Sequence, residues 1–313
     1  MTGFIVNLAL LVSMQGATVG MPFLKLGVGT RPVAMGEAFT AVSDDANAMF
    51  YNPAGIGMME PQLDVTGMLM TIFTDVSYVS GATVFSIDPR GRIGIGLAGA
   101  YLSTTDVARD EYGNEQGEFN VYDALGAVGV GWKFNRFLSL GVTGKFVRSK
   151  IASSAAHSVL GDFGLKINPT KFVYFGLMLQ HLGTPRIFDR DIEFAPTTAR
   201  GGLALQFPSG RSHVLFASDI IWPIDEAPSL AVGVEGKIGF LPSEELGGSS
   251  GFIVHGGYRS GYHLGDWGGW SIGIGYEYEA TEVIHLTLEA VYFSYGYLGS
   301  SERLSLGVNF RPN

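Results

Sequence analysis

Hydrophobic and polar residues alternate along almost the whole chain after residue 60. In the last such stretch the apolar positions are Leu304, Leu306, Val308 and Phe310, with Arg303, Ser305, Gly307 and Asn309 between them. A period of two residues is typical of a β-strand with one apolar and one polar face. No long helical pattern interrupts the alternation, so the chain is predicted to be all-β.

Fourteen strand-like segments can be counted in this alternation. They lie at about 62–71, 77–87, 92–103, 119–133, 137–151, 157–168, 171–182, 197–207, 212–222, 229–240, 251–260, 270–280, 283–294 and 302–311. An even number of antiparallel strands lets a sheet close on itself, as in bacterial outer-membrane barrels. The predicted fold is a transmembrane antiparallel β-barrel of about fourteen strands, and a soluble β-sandwich is the alternative.

The connections between the predicted segments alternate in length. Every second one is a short turn, such as Asp88-Pro89-Arg90-Gly91 or Asn168-Pro169-Thr170, with 241–250 as the exception. The others, including 104–118, 183–196 and 261–269, are longer and polar or glycine-rich. Outer-membrane barrels have short periplasmic turns and long external loops, so this parity favours the barrel.

Charged residues on the polar faces predict which side of the barrel is wet. A charge facing lipid is costly, so these side chains are expected to point into the lumen or to pair across strands. The lumen-facing polar candidates are Lys145, Glu235, Lys237, Glu277, Glu289 and Arg303. On the fourth segment the opposite face is apolar and carries aromatic residues at both ends, Tyr122 and Trp132.

Composition narrows the function classes. Of the 313 residues, 46% are hydrophobic, yet no apolar run after the N-terminus is long enough for a helical membrane span. The net charge of −9 argues against a nucleic-acid partner. The absence of cysteine excludes disulfides and thiolate metal sites.

The N-terminal sixty residues differ from the rest. Residues 1–17 contain an apolar stretch and then small residues, as in a secretory signal peptide, although a basic start is missing. Residues 18–60 do not alternate and are predicted to form a compact plug, or hatch, inside a barrel of residues 61–313. A short helix is expected within 31–42, and Asp44 or Asp45 is expected to cap a second helical turn ending before Asn52-Pro53.

The segment from Leu26 to Gly55 resembles the PorV/PorQ branch of the FadL-like outer-membrane proteins. The elements that carry the resemblance are Met35-Gly36, Ala38-Phe39, Ala41-Val42, Asp44-Asp45-Ala46 and Asn52-Pro53-Ala54-Gly55. More generic similarities continue to the C-terminus, for example in Gly161-Asp162-Phe163-Gly164-Leu165 and Gly256-Gly257-Tyr258-Arg259. The resemblance implies a fourteen-stranded barrel with an N-terminal hatch, whose motif is Asn52, Pro53 and Ala54.

Two functions follow from this resemblance. PorV-like proteins receive secreted proteins and deliver them to the cell surface in type IX secretion, which is the first hypothesis. FadL-like proteins transport hydrophobic compounds such as fatty acids across the outer membrane, which is the alternative. The expected partners are outer-membrane lipid together with either secreted cargo and secretion-system proteins or a hydrophobic ligand. The external loops are shorter than in typical PorV proteins, and a purely structural role is a third reading.

Sequence signals for catalysis are weak. Gly94-Ile95-Gly96-Leu97-Ala98-Gly99 matches a dinucleotide-binding pattern, but it lies inside an alternating strand rather than before a helix. Its glycines are instead expected to leave room for the hatch. The six histidines are scattered and form no helical zinc motif. No catalytic residue, metal ligand or cofactor is predicted, and the protein is not expected to be an enzyme.

Overall fold

The fold is seen in a computed structural model of the whole chain. The residues whose structure is described are 19–59, 63–72, 76–88, 90–110, 112, 114–188, 191–240, 250–262, 267–281 and 283–311. The predicted signal peptide at 1–17 lies outside these ranges.

Fourteen of the strands in the described part of the chain form one closed antiparallel barrel. Each strand pairs with its neighbours in chain order, and the last strand pairs with the first to close the ring. The barrel strands are β1 (Leu63–Ile72), β2 (Val76–Ser86), β3 (Ile93–Arg109), β4 (Glu115–Lys133), β5 (Leu138–Ile151), β6 (Ser154–Ile167), β7 (Val173–Gly183), β10 (Thr198–Ser209), β11 (Ser212–Pro223), β12 (Ser229–Gly239), β13 (Ser250–Arg259), β14 (Gly268–Glu279), β15 (Ile284–Tyr295) and β16 (Ser300–Phe310). The prediction of a fourteen-stranded closed barrel is confirmed.

Two of the predicted loops contain strand. Residues 104–109 and 115–120 extend β3 and β4 and pair only with each other, beyond the ends of β2 and β5. Most of this extension is exposed on both faces, so its sequence has no apolar alternation to reveal it. In the 183–196 connection, β8 (Arg186–Phe188) and β9 (Asp191–Glu193) form a small separate hairpin.

The outside of the barrel is apolar. Leu177 is 58% exposed, Ile274 64% and Leu306 56%, while their chain neighbours point inward. Exposed aromatic side chains cluster towards both ends of the strands, including Trp132, Phe134, Phe207, Phe240 and Phe252 at the turn end and Tyr101, Phe146, Trp222, Trp270 and Tyr292 at the loop end. An apolar band between two aromatic belts matches the hydrocarbon core of a bilayer and its two interfaces.

Residues 19–59 form the luminal segment, which lies inside the barrel and is almost completely buried. It consists of short helices, namely 3₁₀-helices at Pro22–Lys25 and Pro53–Met58 and α-helical turns at Thr30–Ala34 and Ala48–Tyr51. The Thr30–Ala34 turn contacts β13 to β16, whereas the Pro53–Met58 helix contacts β3 to β6. Among the described residues, no helix is long and apolar enough to cross a membrane.

The helical expectations for this segment need correction. The helix expected within 31–42 covers only Thr30–Ala34, because Met35 leaves the helical region and Gly36 and Glu37 both have positive φ. The second helix starts after Asn47, which makes no side-chain cap. Asp45 instead accepts a hydrogen bond from the backbone N–H of Asn47 just before the helix, and Asp44 pairs with Arg31.

Candidate functional site

Glycines on the inner wall of the barrel make room for the luminal segment. A Cβ at Gly94 would lie 2.7 Å from Ile56 Cγ2, and one at Gly131 would lie 2.7 Å from Ile56 Cβ. At Gly141 a Cβ would overlap the backbone of Pro53. Further inward-facing glycines contact the segment in the same way, namely Gly96, Gly129, Gly164, Gly176, Gly202, Gly233, Gly257 and Gly273. The wall and the segment are therefore complementary in shape at backbone level.

The Asn52-Pro53-Ala54 motif fixes the segment to this glycine surface. Asn52 is fully buried, and its side chain accepts a hydrogen bond from Ala54 N at 3.1 Å. Its amide donates to Thr40 O at 2.9 Å and to Leu165 O of β6 at 3.1 Å. One side chain thus ties two turns of the segment to each other and to the barrel.

Glu235 of β12, a carboxylate on the wall, holds the segment towards the turn end. Arg31 donates to both of its oxygens, at 2.6 and 3.1 Å, and also pairs with Asp44 at 2.6 Å and Asp45 at 2.9 Å. Burial works against the charge on Arg31, but the surrounding carboxylates outweigh it and hold its pKa above the usual range. Nε2 of His213 lies 2.7 Å from Oε1 of Glu235, and Nε2 of His255 lies 3.0 Å from Oε2.

A second set of contacts holds the middle of the segment. Asp219 of β11 accepts hydrogen bonds from the backbone of Phe39 and Thr40 and from the Thr40 hydroxyl. Arg200 of β10 donates to Asp219 and to the carbonyl of Glu37. Arg259 pairs with the Glu37 carboxylate at 2.7 Å. Glu37, whose φ is 67°, is therefore held by Arg200 at its carbonyl and by Arg259 at its side chain.

Lys145 lies at an irregularity in the barrel wall. Its ammonium pairs with Asp162 of β6 at 2.6 Å, and both side chains are almost completely buried. The register between β6 and β7 shifts beside Asp162, where His181 adopts a φ of 59° and donates its backbone N–H to the carboxylate. Asp162 therefore replaces the strand partner that the irregularity removes.

The remaining polar candidates are spread over the inner wall. Lys237 pairs with Glu277 at 2.5 Å, Glu289 accepts from Ser305 at 3.4 Å, and Arg303 donates to the carbonyl of Gly27 at 3.0 Å. Within the described ranges, one group could hold a metal ion, Glu277, Glu279 and His285, whose ligand atoms lie within 4.8 Å of one another. Lys237 and Arg211 already pair with its two carboxylates.

The luminal segment divides the interior into two cavities. The outer cavity, at the loop end, has a volume of about 630 Å³. Apolar side chains from the segment and the wall make up much of its lining, including Phe23, Leu24, Leu26, Val28, Phe50, Tyr78, Leu125 and Ile221. A cavity of this size and character is typical of sites for small apolar ligands.

The inner cavity, at the turn end, has a volume of about 720 Å³ and a different lining. Charged side chains from both the segment and the wall surround it, including Arg31, Asp44, Asp45, Asp64, Lys166, Glu235, Lys237, Glu277 and Glu289. Lys166 donates to the carbonyls of Val42 and Ser43 and so adds a further contact between wall and segment. Arg31, Glu235 and Lys166 thus both line the inner cavity and hold the segment to the wall.

Several of these residues escape detection in the sequence. Arg31, Asp162, Arg200, Asp219 and Arg259 were not among the predicted polar candidates, although all five carry contacts described above. Arg31 lies in a stretch without alternation, so no pattern assigns it a side. The four wall residues could have been predicted from the alternating pattern, because each lies on the polar face of its strand.

Comparison with solved structures places this architecture among known barrels. The TodX ΔS2S3 mutant monoaromatic hydrocarbon channel superposes with a TM-score of 0.60 at 14% identity, covering 91% of this chain and 99% of the channel. The Ralstonia pickettii toluene transporter TbuX gives 0.57 at 12% identity, covering 92% and 99%. A Pseudomonas aeruginosa FadL homologue gives 0.51 at 12% identity, covering 91% and 98%.

Comparison at the level of sequence finds no relative. No protein-family profile matches the chain, and no curated protein sequence matches it. At 11–14% identity, likeness to the solved channels concerns the fold. This chain therefore shares the fourteen-stranded barrel fold of the FadL-like hydrocarbon channels.

Proposed function

We propose that this protein is an outer-membrane channel for small hydrophobic molecules. The observation that carries the proposal is the apolar outer cavity, which lies inside a barrel whose exterior suits a bilayer. The solved barrels of the same fold include a toluene transporter and a monoaromatic hydrocarbon channel, which supports the same reading. The function consists of binding and passage without chemical change of the ligand.

In this proposal the luminal segment, residues 19–59, acts as a hatch. It forms the floor of the outer cavity through Glu37, Phe50 and Tyr51, and it separates this cavity from the inner one. A ligand that enters from the loop end reaches the hatch and stops there. Passage then requires the hatch to shift, or the wall to open beside it.

The hypothesis of protein delivery in type IX secretion takes second place. It rests on the resemblance of the 26–55 segment, whereas the solved barrels of this fold are channels for small molecules. The outer cavity gives the channel hypothesis a binding site of suitable size. No comparable feature of the described residues favours cargo proteins.

Uptake by proteoliposomes tests the proposed function. Purified protein would be reconstituted into vesicles whose outer leaflet is lipopolysaccharide, which toluene crosses slowly without a channel, and entry of radiolabelled toluene into an internal hydrophobic trap would be followed over time. We expect uptake faster than in protein-free vesicles. Replacing Leu125 by Trp, which fills the outer cavity from the wall, should slow it. Equal rates with and without protein would reject the channel, and copurification with secreted proteins would restore the delivery hypothesis.

A further inference from the structure

The floor of the outer cavity contains two buried polar atoms without hydrogen-bond partners. These are the hydroxyl of Tyr51, on the luminal segment, and Nε of Arg200, on β10. Both residues line the cavity, with Tyr51 2% and Arg200 7% exposed. Buried polar groups in folded proteins are nearly always paired, so two orphans beside one cavity need an explanation.

The two groups lie next to each other. The guanidinium carbon of Arg200 is 5.1 Å from the centre of the Tyr51 ring. The other side of the guanidinium is engaged, because one terminal nitrogen donates to the Glu37 carbonyl and to Asp219. The Tyr51 oxygen lies beside the backbone of Val28 and makes no hydrogen bond. The floor thus offers unused N–H and O–H donors, and what they lack is an acceptor.

The charges around the cavity decide which acceptor fits. Of the described residues, the lysine and arginine side chains that line it are Lys25, Lys145, Arg200 and Arg259, and each already pairs with a carboxylate. The histidine in the lining, His181, lies 3.4 Å from the Lys145 ammonium. Glu37 and Glu226 line the cavity as well. An anionic ligand would therefore find no free cation and would face carboxylates, and its desolvation would go uncompensated.

We propose that Tyr51 and Arg200 select neutral hydrophobic molecules that carry an oxygen acceptor, such as phenols, ketones or esters. The apolar body of the ligand would occupy the cavity, and its oxygen would accept hydrogen bonds from the two orphan donors at the floor. This inference rests on the proposed function and narrows it. The preferred cargo is an oxygenated compound rather than a pure hydrocarbon or a carboxylate.

Binding of three probes of similar size tests the inference. Toluene, p-cresol and benzoate would be titrated into the purified full-length protein in detergent, with affinities from isothermal titration calorimetry. The variant Tyr51→Phe keeps the ring and its contact with Arg200 but removes the hydroxyl. Because that hydroxyl has no partner, the variant should fold normally. Tyr78→Phe, in the wall of the same cavity, is the matched control.

The quantity compared between variants is the ratio of the affinities for p-cresol and toluene, because differences in solvation between the two probes then cancel. The affinity ratio of p-cresol to toluene should fall about five- to tenfold in Tyr51→Phe, as loss of one neutral hydrogen bond predicts, and should stay constant in Tyr78→Phe. Benzoate should bind more weakly than p-cresol to the unmodified protein.

Several results would overturn the inference. An unchanged ratio in Tyr51→Phe would remove the role of its hydroxyl, and a fall in Tyr78→Phe alone would place the selective group elsewhere. Benzoate binding as tightly as p-cresol would contradict the selection of neutral ligands. Toluene and p-cresol binding with equal affinity in every variant would refute this inference while leaving the channel intact. Failure of all three probes to bind would refute the proposed function as well.

Discussion

The two cavities of this barrel are similar in volume but differ in chemistry. The outer cavity has an apolar lining with all its lining cations paired, whereas the inner cavity is surrounded by a network of ions that joins wall and segment. Apolar contacts are non-directional and let a ligand enter, slide and leave. Buried ion pairs are directional and are costly to break on one side. The difference suggests that the outer cavity receives the ligand and the inner one keeps the segment in place.

Among the variants that test how the segment is held, Glu235→Gln has the largest expected effect. The amide nitrogen would confront N–H donors of Arg31 or the histidines, and Arg31 would lose the most buried of the three carboxylates that compensate its charge. Breaking one side of a buried pair costs about 3–5 kcal/mol. We expect the segment to become accessible to hydrogen exchange and to chymotrypsin cleavage after Phe39, which is fully buried in the unmodified protein, while the barrel stays folded.

Glu277→Gln is the matched control for that experiment. Glu277 lines the same inner cavity, but its pair with Lys237 is more exposed, and neither residue belongs to the segment. Its loss should cost no more than about 1 kcal/mol and should leave the segment protected. Equal protection of the segment in both variants would show that Glu235 does not hold it.

Gly141→Ala tests the fit between wall and segment and should have the next largest effect. The added methyl group would overlap the backbone of Pro53, which has no flexible end to move away. Overpacking of this kind typically costs about 1–3 kcal/mol. The thermal midpoint of the heat-modifiable shift in gel mobility should fall. Gly144→Ala, three residues along the same strand, meets no atom within 4 Å and should leave the midpoint unchanged.

These glycines also show how far the sequence could predict the structure. Strand number and sidedness follow from alternation, because lipid on one face and a wet or packed lumen on the other impose it on every strand. The inward glycines Gly94 and Gly96 could be assigned to the space of a plug for the same reason. What alternation cannot reveal is the partner of each polar residue, such as Arg31 for Glu235, since these pairs are about 200 positions apart in the chain.

The cavities themselves lay beyond prediction from the sequence. Their linings combine short irregular turns of the segment with residues from many strands, so no local pattern encodes them. Tyr51 illustrates this limit, because it lies between Phe50 and Asn52 in a helical turn and looks like ordinary core. Its significance comes from the unpartnered hydroxyl, which only the folded arrangement shows.

The Asn52→Ala variant distinguishes a structural role of Asn52 from a role in ligand passage. It removes the hydrogen bonds to Thr40, Ala54 and Leu165 and leaves buried carbonyls without donors, at a cost of about 1–3 kcal/mol. The segment should loosen and the barrel should remain folded. Ligand flux that changes in folded protein would indicate that Asn52 anchors a movable hatch. Unaltered flux, with only the stability lowered, would limit Asn52 to a structural role.

The smallest effect concerns Lys25, which tethers the start of the segment to the loop between β11 and β12. Burial alone would lower its pKa, but Asp225 and Glu226 raise it above the ordinary value of 10.5. A lysine whose pKa is raised by folding stabilises the folded state fully below 10.5, and this contribution disappears as the pH rises through the folded value. The tether should therefore be unaffected by pH near neutrality and should weaken only in strong alkali.

Hydrogen exchange of residues 20–28, after correction for the intrinsic rate at each pH, would measure this tether. Since the pair is partly exposed, its contribution should stay below about 1 kcal/mol and should decrease at high salt. In Lys25→Met the alkaline loss of protection should vanish, because the titrating group is gone. If the variant loses protection over the same pH interval as the unmodified protein, another titrating group controls the protection of residues 20–28, and Lys25 does not tether the segment.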